Sequence, residues 1–117
     1  MSRRPDGALE RDVMDVMWRA DAPLTPREVR ARLGFDLAYT TVMTVLARLH
    51  EKGRAHREQR GRAFAYSAAV SESELAGEQM NAVLSSTTDR EGALGGFVGG
   101  LSRRDRAALR RLLGGAT

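Results

Sequence analysis

The chain of 117 residues has 42% apolar and 29% charged residues, with 19 Lys and Arg against 15 Asp and Glu for a formal net charge of +4. This is ordinary globular composition, sized for one compact domain or a small domain with an appended helical module, and its positive excess points mildly to a polyanionic partner. Cysteine is absent, which excludes disulfides, thiolate metal sites and cysteine nucleophiles. No apolar run reaches the ~18 residues of a membrane span, and no apolar signal region follows Arg3 and Arg4, so the expected protein is cytoplasmic with no membrane insertion.

In chain order, Leu9, Val13, Val16, Met17 and Ala20 set out a first helix, closed by Asp21, Ala22 and Pro23. Trp18, near its end, reads as a packing or hinge residue and not as a base-stacking platform. Thr25, Pro26 and Glu28 form a helix start, with Thr25 as cap, Pro26 in the first helical position and Glu28 completing a capping box. Loss of such a cap costs ~1 kcal/mol. Val29 and Leu33 give this second helix its inward face, and Gly34 ends it. The connection from Gly34 to Leu37 then leads into a third helix at helix-turn-helix spacing. Ala38 has no capping side chain, which leaves Asp36 as the expected cap.

The third helix and the segment after it, Ala38 to Ser67, carry the strongest functional signal. Val42, Val45, Leu46 and Leu49 fall at i, i+3, i+4 and i+7 and make one buried stripe. The opposite face carries Thr40, Met43, Thr44, Ala47 and Glu51, with Arg48 and Thr41 on its flanks. A helix that enters a major groove ~8.5 Å deep needs slender, non-acidic residues at its leading end, and threonine offers a base edge both a hydroxyl and a methyl. Gly53 ends the helix. Arg54 to Gln59 and Arg62 to Ser67 then read as two short strands joined by a turn around Arg60 and Gly61, with Phe64 and Tyr66 packing inward and Arg57, Arg60 and Arg62 near the tip.

Charge is distributed unevenly. Residues 1–68 hold 13 Lys and Arg against 9 Asp and Glu, whereas residues 69–117 hold 6 of each. Residues 48–62 alone hold six basic side chains (Arg48, Lys52, Arg54, Arg57, Arg60, Arg62) against Glu51 and Glu58. Guanidinium groups match phosphate oxygens through paired, planar hydrogen bonds, so these arginines are candidate clamps for a nucleic-acid backbone.

After Val70 only helices are expected. Ser71 with Glu74 and Ser102 with Asp105 read as capping boxes. They open one stripe of Leu75, Ala76, Met80, Val83 and Leu84 and another of Ala108, Leu109, Leu112 and Leu113, ended by Gly114. Between them, Ala93, Leu94, Phe97 and Val98 have helical spacing but are interrupted by five glycines from Gly92 to Gly100. Each interior glycine disfavours helix by ~1 kcal/mol relative to alanine, so this is expected to be the least stable element. Three short amphipathic helices have too little core of their own and are expected to find it in a second copy of the chain.

The segments LERDVMDVMW, TPREV, AYTTVMTVLARLHEKG and RGRAFAYS resemble the winged-helix penicillinase and methicillin-resistance repressors, the BlaI/MecI family, over nearly the whole chain. The resemblance implies a mainly α fold with a small β-hairpin: a winged helix-turn-helix DNA-binding domain at 1–69 and a helical dimerisation region at 70–117. It implies a homodimeric repressor of β-lactamase-type genes that binds double-stranded operator DNA. Repression is then relieved when a membrane-bound sensor-transducer protease system leads to cleavage in the dimerisation region. Better-known members are cut between Asn and Phe; the matching pair here is Gly96 and Phe97, so the Asn is absent.

Carried over by position, base reading falls to Thr40, Thr41, Met43 and Thr44, and phosphate contact to Arg48, Arg60 and Arg62, with Arg54 and Arg57 as further phosphate candidates. Dimerisation falls to Leu75, Met80, Val83, Leu84, Leu94, Phe97, Leu109, Leu112 and Leu113. The site is expected to be an inverted repeat with half-site centres ~10 bp or a multiple apart. No cofactor, metal or enzymatic activity is expected: His50 and His56 read as surface or phosphate-neighbouring residues, and the missing cysteines argue against the family's copper-responsive branch. The alternative is a winged-helix protein-interaction module.

Overall fold

The computed structural model describes residues 6–114 and contains α1 (Asp6–Arg19), α2 (Pro26–Arg32), α3 (Tyr39–Glu51), β1 (Ala55–Arg60), β2 (Ala63–Ala68), α4 (Glu72–Ser85), α5 (Arg90–Gly99) and α6 (Arg103–Leu112). The chain is mainly α with one antiparallel hairpin, and α1 to β2 make a winged helix-turn-helix. The residues form two compact units, one running through Leu75 and one starting at Ala76.

The core of the first unit follows from helical periodicity. Leu9, Val13, Met14, Val16 and Met17 of α1 meet Val29 of α2 and the predicted stripe of α3, namely Val42, Val45, Leu46 and Leu49. Full burial of one such side chain is worth ~1.5–3 kcal/mol. Trp18 is a packing residue: its indole N–H donates to the carbonyl of Val70 at 2.9 Å, and Arg11 lies 5.2 Å from the ring centroid. Arg11 also pairs with Asp15 at 3.1 Å and with Glu72. Leu75, placed by the sequence in the dimerisation stripe, is buried in this first core instead.

Local chemistry sets the helix ends. Thr25 Oγ1 accepts from the Glu28 N–H at 3.3 Å and Glu28 Oε1 accepts from the Thr25 N–H at 2.8 Å, completing the expected box around Pro26. The expected Asp36 cap is not made. α3 starts at Ala38 with no side-chain cap, and Arg30 Nε instead donates to the Leu37 carbonyl at 2.8 Å, fixing the connection from the α2 side. At the other end, Gly53 at φ +76° donates to the His50 carbonyl and Arg54 N–H to that of Leu49, a Schellman closure that needs a left-handed residue.

The strands pair from Ala55↔Ala68 to Arg60↔Ala63, which leaves Gly61 and Arg62 as the two-residue turn, one position later than the sequence pattern suggested. Gly61, at φ +61°, supplies the positive dihedral that a type II′ turn needs at its first central position. Leu24 exchanges backbone hydrogen bonds with Tyr66 at 2.8 and 2.7 Å and so extends pairing beyond β2. Tyr66 packs inward as expected. Phe64 does not: it is 41% exposed, because only the base of the hairpin lies over the core and Phe64 is two residues nearer the tip.

In the second unit, α5 is a continuous helix despite its glycines. It starts at Asp89, whose side chain accepts from the Gly92 N–H at 2.9 Å. Ser71 and Glu74 form the full reciprocal box before α4. Ser102 accepts from the Asp105 N–H at 3.0 Å, but the shorter aspartate makes no return bond, so this cap is half of a box. Met80, Val83, Leu84, Ala93, Leu94 and Phe97 line an apolar groove of about 380 Å³. Leu112 and Leu113 are largely exposed and Leu109 is half-buried.

Candidate nucleic-acid interface

Because α3 spends one stripe on the core, its other face is available. Thr40, Met43, Thr44 and Arg48 are exposed, and Thr41 is half-buried at the flank where periodicity put it. Tyr39, exposed at the first helical position and four residues before Met43, joins this surface. Sequence patterning missed it because a lone aromatic beside an apolar stripe resembles core. Thr44 Oγ1 donates to the Thr40 carbonyl at 2.9 Å. The hydroxyl proton is therefore committed within the helix, and Thr44 offers a partner only acceptor lone pairs and a methyl group.

The hairpin sorts its arginines by face and by partner. Cross-strand partners share a face, so Arg57 and Gln59 lie on the side of Tyr66 and Phe64, whereas Glu58 and Arg60 lie on the side of Ala65 and Ala63. The Arg57 guanidinium sits 4.2 Å from the centroid of the Phe64 ring, which holds it at the exposed surface. Arg60 turns back toward α2: its Nη2 donates to the Pro23 carbonyl at 3.0 Å and its Nη1 to Glu28 Oε1 at 3.4 Å. Arg62 is exposed in the turn and has no side-chain partner among the described residues.

At the base of the hairpin the charge is partly met from within the chain. Lys52 Nζ donates to both oxygens of Glu10, at 3.0 and 2.9 Å, and Arg54 Nη1 lies 3.6 Å from Glu10 Oε1. Much of the positive excess counted between Arg48 and Arg62 is thus met by carboxylates distant in sequence, leaving Arg57 and Arg62 as the outward charges of the hairpin. An acidic residue on the inward stripe of α1 was the available signal for Glu10, since such a group needs a partner. The Glu28 carboxyl is held below the ordinary carboxylate range, first by the backbone N–H of Thr25 and further by Arg60. Among the described residues, no group of three or more His, Cys, Asp or Glu is placed to hold a metal ion.

The profile of the penicillinase repressor family matches residues 7–115. The chain belongs to that family. This penicillinase repressor family member is 40% identical over 112 residues to the transcriptional regulator BlaI of Mycobacterium tuberculosis strain CDC 1551 / Oshkosh, covering 92% of this chain and 81% of the relative. The same figures hold for BlaI of strain ATCC 25618 / H37Rv. Two solved structures are also similar. Bacillus licheniformis BlaI, in its monomeric form in complex with the blaP half-operator, has a TM-score of 0.48 at 28% identity over 63% of this chain and 88% of that one. PcaV of Streptomyces coelicolor, in complex with its natural ligand, has a TM-score of 0.47 at 20% identity over 91% and 70% of the two chains. As a penicillinase repressor family member the chain is a transcriptional repressor and not an enzyme.

Proposed function

We propose that this repressor acts as a homodimer that lays α3 in the major groove of an inverted-repeat operator and silences β-lactamase-type resistance genes. The observation that carries the DNA reading is the exposed, non-acidic leading face of α3 (Thr40, Met43, Thr44) beside a hairpin that presents Arg57 and Arg62. Thr40, Met43 and Thr44 read bases, Thr41 serves at the flank, and Arg48, Arg57 and Arg62 take phosphates. Arg54 and Arg60 reach phosphates only by leaving Glu10 and Glu28.

Exposed Met80, Val83, Leu94, Phe97, Leu112 and Leu113, with Leu84 and Leu109 beside them, form the dimer contact in this reading. Their exposure supports it, since a soluble chain seldom leaves so many large apolar groups uncovered. Relief of repression is by cleavage at Gly96–Phe97 through a membrane-bound sensor-transducer protease system. Phe97 is 45% exposed, and the Gly96 carbonyl accepts from the Gly100 N–H at 3.2 Å at the end of a helix weakened by glycine. The place of action is the cytoplasm. Among the described residues no helix is long and apolar enough to cross a membrane.

Electrophoretic shifts with genomic fragments at physiological salt test the proposal. A DNA-reading repressor gives a specific retarded species that survives excess competitor, and a winged-helix module that binds only protein gives none.

A further inference from the structure

Arg60 is the hairpin arginine whose guanidinium is shared between two oxygen acceptors of the same chain, one on each terminal nitrogen: the Pro23 carbonyl at 3.0 Å and Glu28 Oε1 at 3.4 Å. Two oxygens approached by the two arms of one guanidinium is the arrangement that a phosphate also offers. We propose that Glu28 and the Pro23 carbonyl occupy Arg60 as an internal stand-in for a DNA phosphate. Binding then exchanges the carboxylate for a phosphate, and Glu28 tunes affinity without touching DNA. The inference rests on the DNA-binding reading above and adds to it a residue that restrains binding.

Three features make the exchange feasible. First, the contact is accessible to water, with the Arg60 and Glu28 side chains 46% and 48% exposed, so it opens without disturbing any core. Second, Glu28 is anchored independently of Arg60. The same Oε1 accepts from the Thr25 N–H at 2.8 Å and the Glu28 N–H donates to Thr25 Oγ1, so the carboxylate stays on α2 when the arginine leaves. Third, the neighbouring hairpin cations lack this restraint: Arg57 rests on the Phe64 ring, and Arg62 has no side-chain partner among the described residues. Arg57 and Arg62 are therefore presented to DNA from the outset, whereas Arg60 joins at the expense of its link to α2. An exposed ion pair weakens as salt rises, so the restraint is strongest at low ionic strength.

Glu28→Gln isolates the effect, because glutamine at the third helical position preserves the capping box while removing the charge. Operator and non-specific affinities are measured over a series of salt concentrations for the wild type, Glu28→Gln, Arg60→Ala and the double variant, with thermal unfolding confirming that each is folded. Glu28→Gln is expected to bind ~3–10-fold more tightly at low salt, with the advantage shrinking as salt rises. In the Arg60→Ala background the same substitution is expected to change little. A Glu28→Gln protein with wild-type affinity overturns the proposal. So does a gain of equal size without Arg60, which would mean only that a negative charge near DNA had been removed. A wild type that forms no specific complex overturns the DNA-binding reading and the exchange together, whereas a wild type that binds while Glu28→Gln is indifferent overturns the exchange alone.

Discussion

Lys52 directs its ammonium to both oxygens of Glu10, at 3.0 and 2.9 Å, while Arg54 approaches the same carboxylate at 3.6 Å. This one acid joins α1 to the end of α3 and to the residue that leads into β1, fixing α3 and the hairpin to a common base. The Glu10 side chain is only 11% exposed, so removing it leaves two neighbouring cations without their shared counter-charge. Glu10→Ala is expected to lower stability by ~2 kcal/mol in urea unfolding, less than for a fully buried pair because Lys52 reaches solvent. A loss within experimental error would show that apolar packing and backbone hydrogen bonds hold the hairpin base without this ion pair.

On the outward face of α3, the bond from the Thr44 hydroxyl to the Thr40 carbonyl leaves the methyl as the distinctive group of Thr44. Thr44→Val keeps a methyl at that place and is expected to retain the base preference at its operator position. Thr44→Ala is expected to relax that preference by ~1 kcal/mol, the lower end of a base contact. Affinities for operators varied one base pair at a time separate the two. Equal loss of discrimination in both variants would assign the readout to the hydroxyl.

The glycines of α5 are not equivalent. A Cβ at Gly95 or Gly96 meets nothing within 4 Å, whereas one at Gly92 would lie 2.2 Å from Asp89 Oδ2, the side chain that caps the helix. Gly95→Ala and Gly96→Ala should each stabilise α5 by ~1 kcal/mol and slow limited proteolysis around Phe97, while Gly92→Ala should not. Unchanged cleavage in both stabilised variants would mean that local helix opening does not control access there.

Acid should loosen two helix starts. Glu28 and Glu74 are both held below the ordinary carboxylate range, chiefly by the backbone N–H groups of their cap residues, Thr25 and Ser71. With the folded value depressed, the unfolded chain binds more protons. The contribution is present above the unfolded pKa of ~4.3 and is lost as pH falls through the lower folded values. A Glu28→Gln, Glu74→Gln protein keeps both boxes without titrating, and is expected to lose less stability than the wild type on acidification below ~pH 5. Parallel losses in the two proteins would place the acid sensitivity elsewhere.

What was legible in the sequence was local. The stripe of Val42, Val45, Leu46 and Leu49 follows from helical geometry alone, as do the Thr25 box and the Gly53 stop, since their partners lie within a few residues. Phe64 was misplaced because strand alternation names a face but not how far along the hairpin that face is covered. The cap of α3 was misassigned because the connection before it is held by Arg30, from the preceding helix. Leu75 fits the α4 stripe by period, yet packs in the first core. The pairings of Glu10 with Lys52 and of Glu28 with Arg60 span 42 and 32 residues, beyond any periodic signal, so the charge count located the basic segment but not its internal neutralisation.

The most direct test of the central claim is hydroxyl-radical footprinting on genomic fragments recovered with the protein, comparing the wild type with a Thr40→Ala, Met43→Ala, Thr44→Ala variant. The predicted result is two protected patches on a shared inverted repeat, with centres ~10 bp or a multiple apart, and loss of that sequence preference in the variant while weaker, salt-sensitive binding persists. Protection with no recurring sequence, or a variant that keeps the wild-type footprint, would contradict the assignment of operator reading to the outward face of α3.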